Sequence, residues 1–410
     1  MEIRPILSAL LRNKIAPLLV ALQVAISLAI LANALHIVTL RYEAATRPSG
    51  IADEHDAFVI ELSPLKKPPF AEVIAQQKRD SEVLRAIPGV ASVAMINQVP
   101  MGQSGWNTSV VIDRKQIHTT SVGMYMSPDS LVQTLGLKLA EGRYFTDDDI
   151  EEIDFDTTVD VTPKRVVITQ ALAQKLYPDA TSVVGKMMFF GTGNDAKEVQ
   201  IVGVLQRLQT QNAQTTPEGE YSAILPVRMT ERYGEFIVRT EPGQLAQVMR
   251  DAETQLRKIT PYPIIVKLTS IDEARAKRYR DDRILGWMLV VVSGLLLLVT
   301  ASGIVGMTSL WVSQRRKQIG VRRALGARRV DILRYFLTEN ILITSGGVVG
   351  GLVLAVALNQ FLVSQLELSK LPITYLATGA AVFWLLGVLA VYGPAWRAAS
   401  ISPAVATRTA

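Results

Sequence analysis

The sequence contains no cysteine and only three histidines, His36, His55 and His118, which lie far apart. Without thiols, any domain outside the cytoplasm cannot be cross-linked by disulfides and must be held together by its own core. The same absence excludes a reactive-thiol site and a cysteine-based metal site, and the scattered histidines argue against a histidine-rich one. The sequence therefore predicts no metal site.

The common catalytic signatures are missing as well. No phosphate-binding G-x-x-x-x-G-K-[ST] loop, G-x-S-x-G nucleophile elbow or H-E-x-x-H metal motif occurs. The pair Gly185-Lys186 lacks both the earlier glycine and the following hydroxyl residue of a phosphate loop. The sequence thus offers no candidate catalytic residue.

Four long apolar segments stand out against these absences. They span residues 15–40, 284–312, 341–363 and 371–396, and none contains Asp, Glu, Lys or Arg. About 20 apolar residues cross a bilayer as a helix, so each segment is long enough to span one. The first is too long for the apolar region of a signal peptide, which favours an uncleaved anchor. We predict an α-helical bundle of four transmembrane helices.

Few polar residues interrupt this bundle, and no ionisable pair lies at mid-membrane. A proton- or ion-driven carrier needs such residues to bind the coupling ion, so the sequence argues against that class of protein. Gln23, Asn33 and His36 in the first helix are predicted to hydrogen-bond between helices. Small residues four apart let helix backbones approach closely. The third segment predicts such packing, within the chain or between chains, at Gly346, Gly347, Gly350 and Gly351.

Basic residues set the predicted orientation. They cluster before the first apolar segment, between the second and third, and after the fourth. By the positive-inside rule, this places both termini and the loop 313–331 in the cytoplasm. The remaining long segment, 41–283, carries 29 basic and 33 acidic residues and is predicted to be periplasmic. The high calculated pI therefore reflects the basic residues at the cytoplasmic face of the membrane, which anionic lipid attracts. It does not indicate nucleic-acid binding.

The periplasmic segment alternates short β-rich runs with amphipathic helices, one of which, 70–87, ends at the stop signal Pro88-Gly89. The predicted strands are 57–62, 92–98, 109–112, 165–169, 199–204, 221–226, 235–239 and 264–268. This alternation predicts a large α+β domain of two lobes between the first and second transmembrane helices. Two stretches are predicted as mobile loops: the solvated, acid-rich 147–160 and the amide-rich 206–220. Predicted domains are a cytoplasmic N-terminus 1–14, first helix 15–40, periplasmic core 41–270, stalk and second helix 271–312, cytoplasmic loop 313–331, third helix region 332–363, periplasmic loop 364–370, fourth helix 371–396 and cytoplasmic tail 397–410.

The residues before the second apolar segment predict a helix that begins well outside the membrane. Ser270 and Glu273 fit a capping box, which marks a helix start. No proline or glycine follows until Gly286, so a continuous helix is predicted over 271–312, about 63 Å long and about twice the apolar thickness of a bilayer. The surplus would project outward as a stalk. The alternative is a simple junction that breaks near Gly286.

The loop 313–331 is the most specific feature of the chain. On a helical wheel, four arginines and Ile319 share one arc, and Val321, Ala324 and Leu325 lie on the opposite arc, which predicts a short amphipathic helix along the inner membrane face. The residues alone leave two interpretations open: a basic cluster bound to lipid headgroups, or a helix on which a partner docks.

Three motifs resemble those of the MacB/FtsX-like permeases. The run from Gln314 to Ala327 resembles that family's R-x-x-E-I-G-I/V-R-K/R-A-L/I-G-A, with Gln318 at the position of the usual acid. The run from Ile332 to Glu339 resembles the F-L-x-E before its third helix, and Pro394 to Pro403 resembles its C-terminal P-A-x-x-A-x-x-x-x-P. In the periplasmic segment, the runs 135–143 and 172–178, together with the shorter 184–186 and 201–204, resemble the MacB-type core.

This resemblance implies the permease subunit of an ABC transporter of the mechanotransmission type, in a bacterial inner membrane. The subunit itself would bind no cofactor and would not be an enzyme. ATP and Mg would be bound by two copies of a separate cytoplasmic ATPase, and a second permease, identical or homologous, would complete the transporter. A periplasmic adaptor and an outer-membrane channel are further implied partners. The implied ATPase-coupling helix comprises Arg315, Arg316, Ile319, Gly320, Val321, Arg322, Arg323, Ala324, Leu325 and Gly326.

The transported cargo would be a peptide, an antibiotic or a similar molecule. Three alternatives stay open: a lipoprotein-releasing permease of the same architecture, an FtsX-like regulator of envelope hydrolases, and a membrane-anchored sensor.

Overall fold

The computed structural model describes residues 14–65, 69–153, 163–229, 234–366 and 369–400. The chain forms two compact units. The helical unit comprises Met1–Tyr42 and Asp282–Ala410, and the large domain comprises Glu43–Asp281. Most of the predicted N-terminal segment and tail, and the end of the predicted acidic loop, lie outside the described residues.

The helices and strands follow one another along the chain in a fixed order. They are α1 Ile15–Thr46, β1 Ala57–Pro64, α2 Phe70–Arg85, β2 Val90–Met95, β3 Asn107–Val111, β4 Thr120–Met126, α3 Leu131–Leu135, β5 Leu139–Gly142, β6 Glu151–Ile153, β7 Arg165–Thr169, α4 Gln170–Leu176, β8 Met187–Phe190, β9 Lys197–Leu205, β10 Ser222–Leu225, β11 Val227–Met229, β12 Gly234–Thr240, α5 Leu245–Ile259, β13 Ile264–Ser270, α6 Ile271–Arg278, α7 Arg280–Gln314, α8 Arg316–Ala324, α9 Arg329–Leu366 and α10 Ile373–Ala399.

Four helices of the described chain are long and apolar enough to cross a membrane: α1, α6–α7 taken together, α9 and α10. Helix α1 lies at the centre of the helical unit, because it contacts each of the other three spans. Ser27 shares a 3.0 Å hydrogen bond with Thr300 of α7, and Asn33 donates to the carbonyl of Ala355 in α9 at 3.1 Å. The ring of His36 lies 5.1 Å from that of Tyr375 in α10. Polar side chains on α1 thus hydrogen-bond across the bundle at more than one level.

Two of the four glycines in the middle of α9 face α1 at very close range. A Cβ on Gly347 would lie 2.7 Å from the carbonyl oxygen of Ala21, and one on Gly351 would lie 3.0 Å from that of Ala25. Gly350 is further away, with its nearest neighbour Ala25 Cβ at 3.6 Å. No described atom lies within 4 Å of a Cβ on Gly346. Small residues therefore let α9 approach α1 within this one chain.

We expect Gly347→Ala to destabilise the helical unit by about 1–3 kcal/mol, because the added methyl group would overlap the backbone of α1. Gly346→Ala provides the matched control, since it adds the same methyl group one residue away in open space. Thermal unfolding of the purified chain in mild detergent measures the difference. Equal melting temperatures for the two variants would contradict this account of the α1–α9 contact.

The large domain is an α+β fold built on two main sheets. The first is antiparallel, with strand order β13-β1-β12-β2, and α2 and α5 cover one of its faces. The second has seven strands in the order β5-β9-β7-β10-β4-β3-β8 and mixes parallel with antiparallel pairs. Strands of both sheets contribute to a shared core that includes Val59, Ile237, Tyr125 and Val167. The predicted fold class, four spans with a large α+β domain between the first and second, is confirmed.

The predicted stalk helix differs from the structure at one residue. Instead of one helix over 271–312, α6 ends at Arg278 and α7 begins at Arg280. The interruption is at Tyr279, whose ring is buried in the core of the large domain and whose hydroxyl donates to Gln209 at 3.1 Å. The backbone of Tyr279, at φ −96° and ψ 7°, lies outside helical geometry. The predicted alternative, a break near Gly286, does not occur, because Gly286 lies within α7.

Other boundaries shift outward from the predicted apolar segments. Helix α1 continues to Thr46 rather than ending at residue 40, α9 begins at Arg329, and α10 runs to Ala399. Hydropathy marks only the part of a helix that suits the bilayer, whereas backbone hydrogen bonding continues into polar residues.

The two predicted loops are also more ordered than their composition suggests. In the stretch 206–220, Leu208, Gln209 and Gln211 are fully buried. In the acidic stretch, Asp149 is buried and forms ion pairs with Arg143 at 2.8 Å and with Arg165. Composition misled the prediction because amides and carboxylates can be buried when hydrogen bonds or cations compensate them.

One buried carboxyl group makes the stability of the large domain depend on pH. Asp80 in α2 is fully buried, and burial raises its pKa to about 6 despite a 2.8 Å hydrogen bond from Gln76. As pH rises above about 4, the unfolded chain ionises first, so the folded state loses stability until the pH passes 6. The loss corresponds to up to about 3 kcal/mol.

We therefore expect Asp80→Asn to raise the melting temperature at pH 8, and to change it much less at pH 4.5, where the wild-type carboxyl group is already protonated in the folded state. Thermal unfolding of wild type and variant at the two pH values measures this. A variant that is less stable than the wild type at pH 8 would contradict the assignment.

Candidate functional site

The loop between α7 and α9 contains α8, a helix of nine residues, Arg316–Ala324. Arg315 separates it from α7 by leaving helical geometry. Gly326 ends it in the left-handed region at φ 97°. The backbone N–H groups of Gly326 and Ala327 then donate to the carbonyls of Arg323 and Arg322 at 3.2 and 3.0 Å, the pattern of a Schellman cap. This cap explains why glycine stands at that position.

Arg315 anchors α8 to α9. Its guanidinium donates to both carboxylate oxygens of Glu339 at 3.0 and 2.9 Å and to the hydroxyl of Tyr335 at 3.1 Å. The Glu339 side chain is 1% exposed and that of Arg315 is 25% exposed. All three contacts are made by one guanidinium nitrogen, Nη1 of Arg315, and hydrogen bonds between ionised groups are stronger than neutral ones. The ion pair fixes where α8 begins relative to α9.

One side of α8 packs against the helical unit. Ile319 and Gly320 are buried, and Ile319 belongs to the same apolar cluster as Trp311 of α7 and Phe336 of α9. Helix α8 also contacts α10. Arg315 and Ile319 therefore lie on the inward-facing side. The helical wheel placed all four arginines on the arc of Ile319, but Arg316 and Arg322 are exposed.

The opposite side of α8 is open. Val321 is 52% exposed and Leu325 is 82% exposed, and Ala324 is exposed as well. Arg316 and Arg322 flank these apolar residues and are also exposed, whereas Arg323 is half-buried. The guanidinium of Arg322 lies 5.3 Å from the ring centre of Tyr335, which holds it at the edge of this side.

We call this outward side the docking face, defined by Arg316, Val321, Arg322, Ala324 and Leu325. Exposed apolar side chains surrounded by cations suit a partner surface with an apolar pocket and acidic rim. In the part of the chain that the structure describes, no three His, Asp or Glu side chains come together as a metal site.

Sequence reasoning did not assign a role to Glu339 or Tyr335, although both lie within the quoted F-L-x-E run. The available signal was an acidic residue beside an otherwise uncharged span, where a buried charge requires a partner. What the sequence could not show is that this partner is Arg315, the first residue of the other motif. Residues of the two motifs that are 24 positions apart thus form one site.

Comparison with protein families gives two matches that together cover most of the chain. The MacB-like periplasmic core domain matches residues 23–255, which is more than half of the chain, and the FtsX-like permease C-terminal domain matches residues 290–403. The second match contains α8 and the docking face.

Among curated proteins, the macrolide export ATP-binding/permease protein MacB of Bradyrhizobium diazoefficiens is 26% identical over 68% of this chain and 42% of its own length. The pyoverdine export ATP-binding/permease protein PvdT of Pseudomonas syringae pv. tomato is 26% identical over 65% and 40%, respectively. The chain thus spans about two fifths of the length of these relatives.

Two solved structures are similar over about half of the chain. The extracellular domain of the noncanonic ABC-type transporter YknZ from Gram-positive bacteria shares 20% identity at a TM-score of 0.33, covering 52% of this chain and 99% of that one. The periplasmic region of MacB from Actinobacillus actinomycetemcomitans shares 14% identity at a TM-score of 0.35, covering 56% and 94%. On the family matches, this multi-pass membrane protein belongs to the MacB/FtsX-like ABC transporter permease family.

Proposed function

We propose that this chain is the permease subunit of an exporter of the mechanotransmission type, in which α8 couples a separate cytoplasmic ATPase to the large domain. The observation that carries the proposal is the construction of α8. It is anchored to α9 by Arg315 and Glu339 and exposes an apolar, cationic docking face. A helix that is fixed to the bundle on one side and open on the other can transmit the movement of a docked partner to the bundle.

The orientation of the chain follows from the same proposal. The docking face and both termini lie in the cytoplasm, as the basic residues indicate, and the large domain lies in the periplasm. ATP and Mg belong to the partner ATPase, two copies of which would serve a pair of permeases. This chain itself performs no catalysis. A periplasmic adaptor and an outer-membrane channel remain proposed partners.

Movement of α8 would reach the large domain along α1 and α6–α7, because these are the helices in which the chain passes between its two units. The cargo would be handled on the periplasmic side rather than in the bundle. Export of a peptide, an antibiotic or a similar molecule is in line with the names of the relatives.

Co-purification of the tagged full chain in mild detergent tests the proposal. The expected result is recovery of an ABC ATPase, identified by mass spectrometry, with vanadate-sensitive ATP hydrolysis in the eluate. Recovery of the intact chain without any ATPase would overturn the transporter function. Recovery of a bound lipoprotein together with the ATPase would assign the complex to lipoprotein release instead of efflux.

A further inference from the structure

Backbone strain is concentrated in one small part of the large domain. Among the described residues other than glycine, those with clearly positive φ are Met101 at 63°, Gln103 at 69° and Ala213 at 41°. The left-handed region is unfavourable for a residue with a Cβ, and such strain persists only where the surroundings enforce it. All three residues lie in two neighbouring loops, 98–107 and 206–216, which we call the clasp.

The two loops of the clasp are hydrogen-bonded to each other through backbone and amide groups. The N–H of Met101 donates to the carbonyl of Thr210 at 3.2 Å, and that of Gln103 donates to the carbonyl of Gln211 at 3.0 Å. The side-chain amide of Gln98 donates to that of Gln211 at 3.1 Å. These bonds hold the strained residues in place.

The clasp also binds α6, the start of the stalk. The guanidinium of Arg278 donates to the carbonyls of Asn212 at 2.5 Å and Ala213 at 3.1 Å. The side chain of Gln103 donates to the carbonyl of Lys277 at 3.3 Å. Two of the three strained residues, Gln103 and Ala213, therefore contact the stalk directly.

Arg47, the residue directly after α1, enters the same network. Gln209 of the clasp donates to the carbonyl of Arg47 at 3.0 Å, and Arg47 donates to the carbonyl of Gln214 at 3.3 Å. Arg275 of α6 joins the two segments, because it donates to the carbonyl of Arg47 at 3.1 Å and forms a forked ion pair with Glu54 at 2.6 and 2.8 Å. The clasp thus binds both segments that lead to the helical unit.

On its other side the clasp is attached to the seven-stranded sheet. The hydroxyl of Tyr125 in β4 donates to the carbonyl of Gln209 at 2.6 Å, and the hydroxyl of Ser222 in β10 donates to the carbonyl of Leu208 at 2.9 Å. Strands β4 and β10 are neighbours within that sheet. A change in the clasp would therefore reach interior strands of the large domain.

We propose that the clasp is a release device, in which the bonds between its loops and to the docked stalk hold Met101, Gln103 and Ala213 in strained conformations that relax when α6 moves. This inference rests on the proposed function, since ATP-driven movement supplies the force on α6. The strain lowers the stability of the docked state, so that a small displacement of the stalk can free the loops and change the seven-stranded sheet.

Hydrogen–deuterium exchange of the full chain in nanodiscs, followed in peptides covering 208–215, tests the strain. Gln103→Gly and Gln103→Ala both remove the side chain, but only glycine relieves the positive φ. We expect exchange in the glycine variant to be at least about fivefold slower than in the alanine variant. Equal exchange in the two variants would overturn the proposal.

The stalk contact has its own matched pair of variants. Arg278→Ala removes two hydrogen bonds to the clasp and should speed exchange in 208–215 about tenfold or more. Lys277→Ala should leave it unchanged, because Lys277 accepts from Gln103 through its backbone carbonyl. Similar exchange in Arg278→Ala and the wild type would overturn the stalk contact.

The release step is tested in the co-purified complex by comparing the nucleotide-free state with the vanadate-trapped state. We expect faster exchange in 208–215 in one of these states, with α2 as an internal reference. Equal exchange with the ATPase present would overturn the release device and leave the proposed function intact. Absence of an ATPase from the preparation would instead remove the proposed function, and the release device with it.

Discussion

Arg315→Ala is expected to destabilise the helical unit by about 3–5 kcal/mol, because it leaves the Glu339 carboxylate buried without its cation. The loss should detach the start of α8 from α9 and reduce recovery of the ATPase. Thermal unfolding in mild detergent and the yield of co-purified ATPase measure the two effects.

The double variant Arg315→Met/Glu339→Met separates the charge from the anchoring. Replacing a buried ion pair by apolar residues of similar volume is often neutral for stability. We therefore expect the double variant to melt close to the wild type and to be more stable than Arg315→Ala. A double variant as unstable as Arg315→Ala would contradict the idea that the penalty arises from an uncompensated buried charge.

Arg322→Glu combined with Leu325→Asp is expected to abolish ATPase binding while the chain still inserts and folds. Both side chains belong to the docking face, so the substitutions bury no charge within this chain, and surface changes of this kind usually cost little stability. At a partner surface, however, they reverse one charge and place another in an apolar contact. ATPase recovery should fall at least about tenfold.

The conservative pair Arg322→Lys with Leu325→Met serves as the control for this variant, because it keeps the charge and the apolar character of the docking face. It should retain binding within a few-fold of the wild type. Unchanged ATPase recovery by Arg322→Glu/Leu325→Asp, in a chain that melts normally, would count against docking at this face.

Much of the fold was predictable because long apolar segments and periodic apolar patterns mark its helices and strands in the sequence. The apolar segments gave all four spans, and the strand predicted over 165–169 agrees with β7 residue for residue. The amphipathic pattern that ends at Pro88-Gly89 gave α2. Strand β4 was missed, because Thr120–Met126 contains glycine and polar residues and gains its stability from β3 and β10 on either side.

In the candidate site, too, the features set by local sequence were predictable and those set by long-range contacts were not. A helical wheel separated the buried Ile319 from the exposed Leu325, because amphipathic periodicity is a local property of the sequence. The pairing of Arg315 with Glu339 and the burial of Gln209 depend on contacts between segments distant in sequence, which no local pattern encodes. The interruption at Tyr279 belongs to the same class, since the Tyr279 ring is buried among residues distant in sequence.

Site-specific cross-linking tests the central claim most directly, because the chain has no cysteine of its own. Leu325→Cys and Ile117→Cys each introduce one thiol at a similarly open position, 82% and 89% exposed in the wild type. Each variant is labelled in membranes with a photoreactive maleimide and irradiated. We predict an adduct with the ATPase from position 325 and none from position 117. An adduct from neither position, or equal adducts from both, would contradict the assignment of α8 as the ATPase contact.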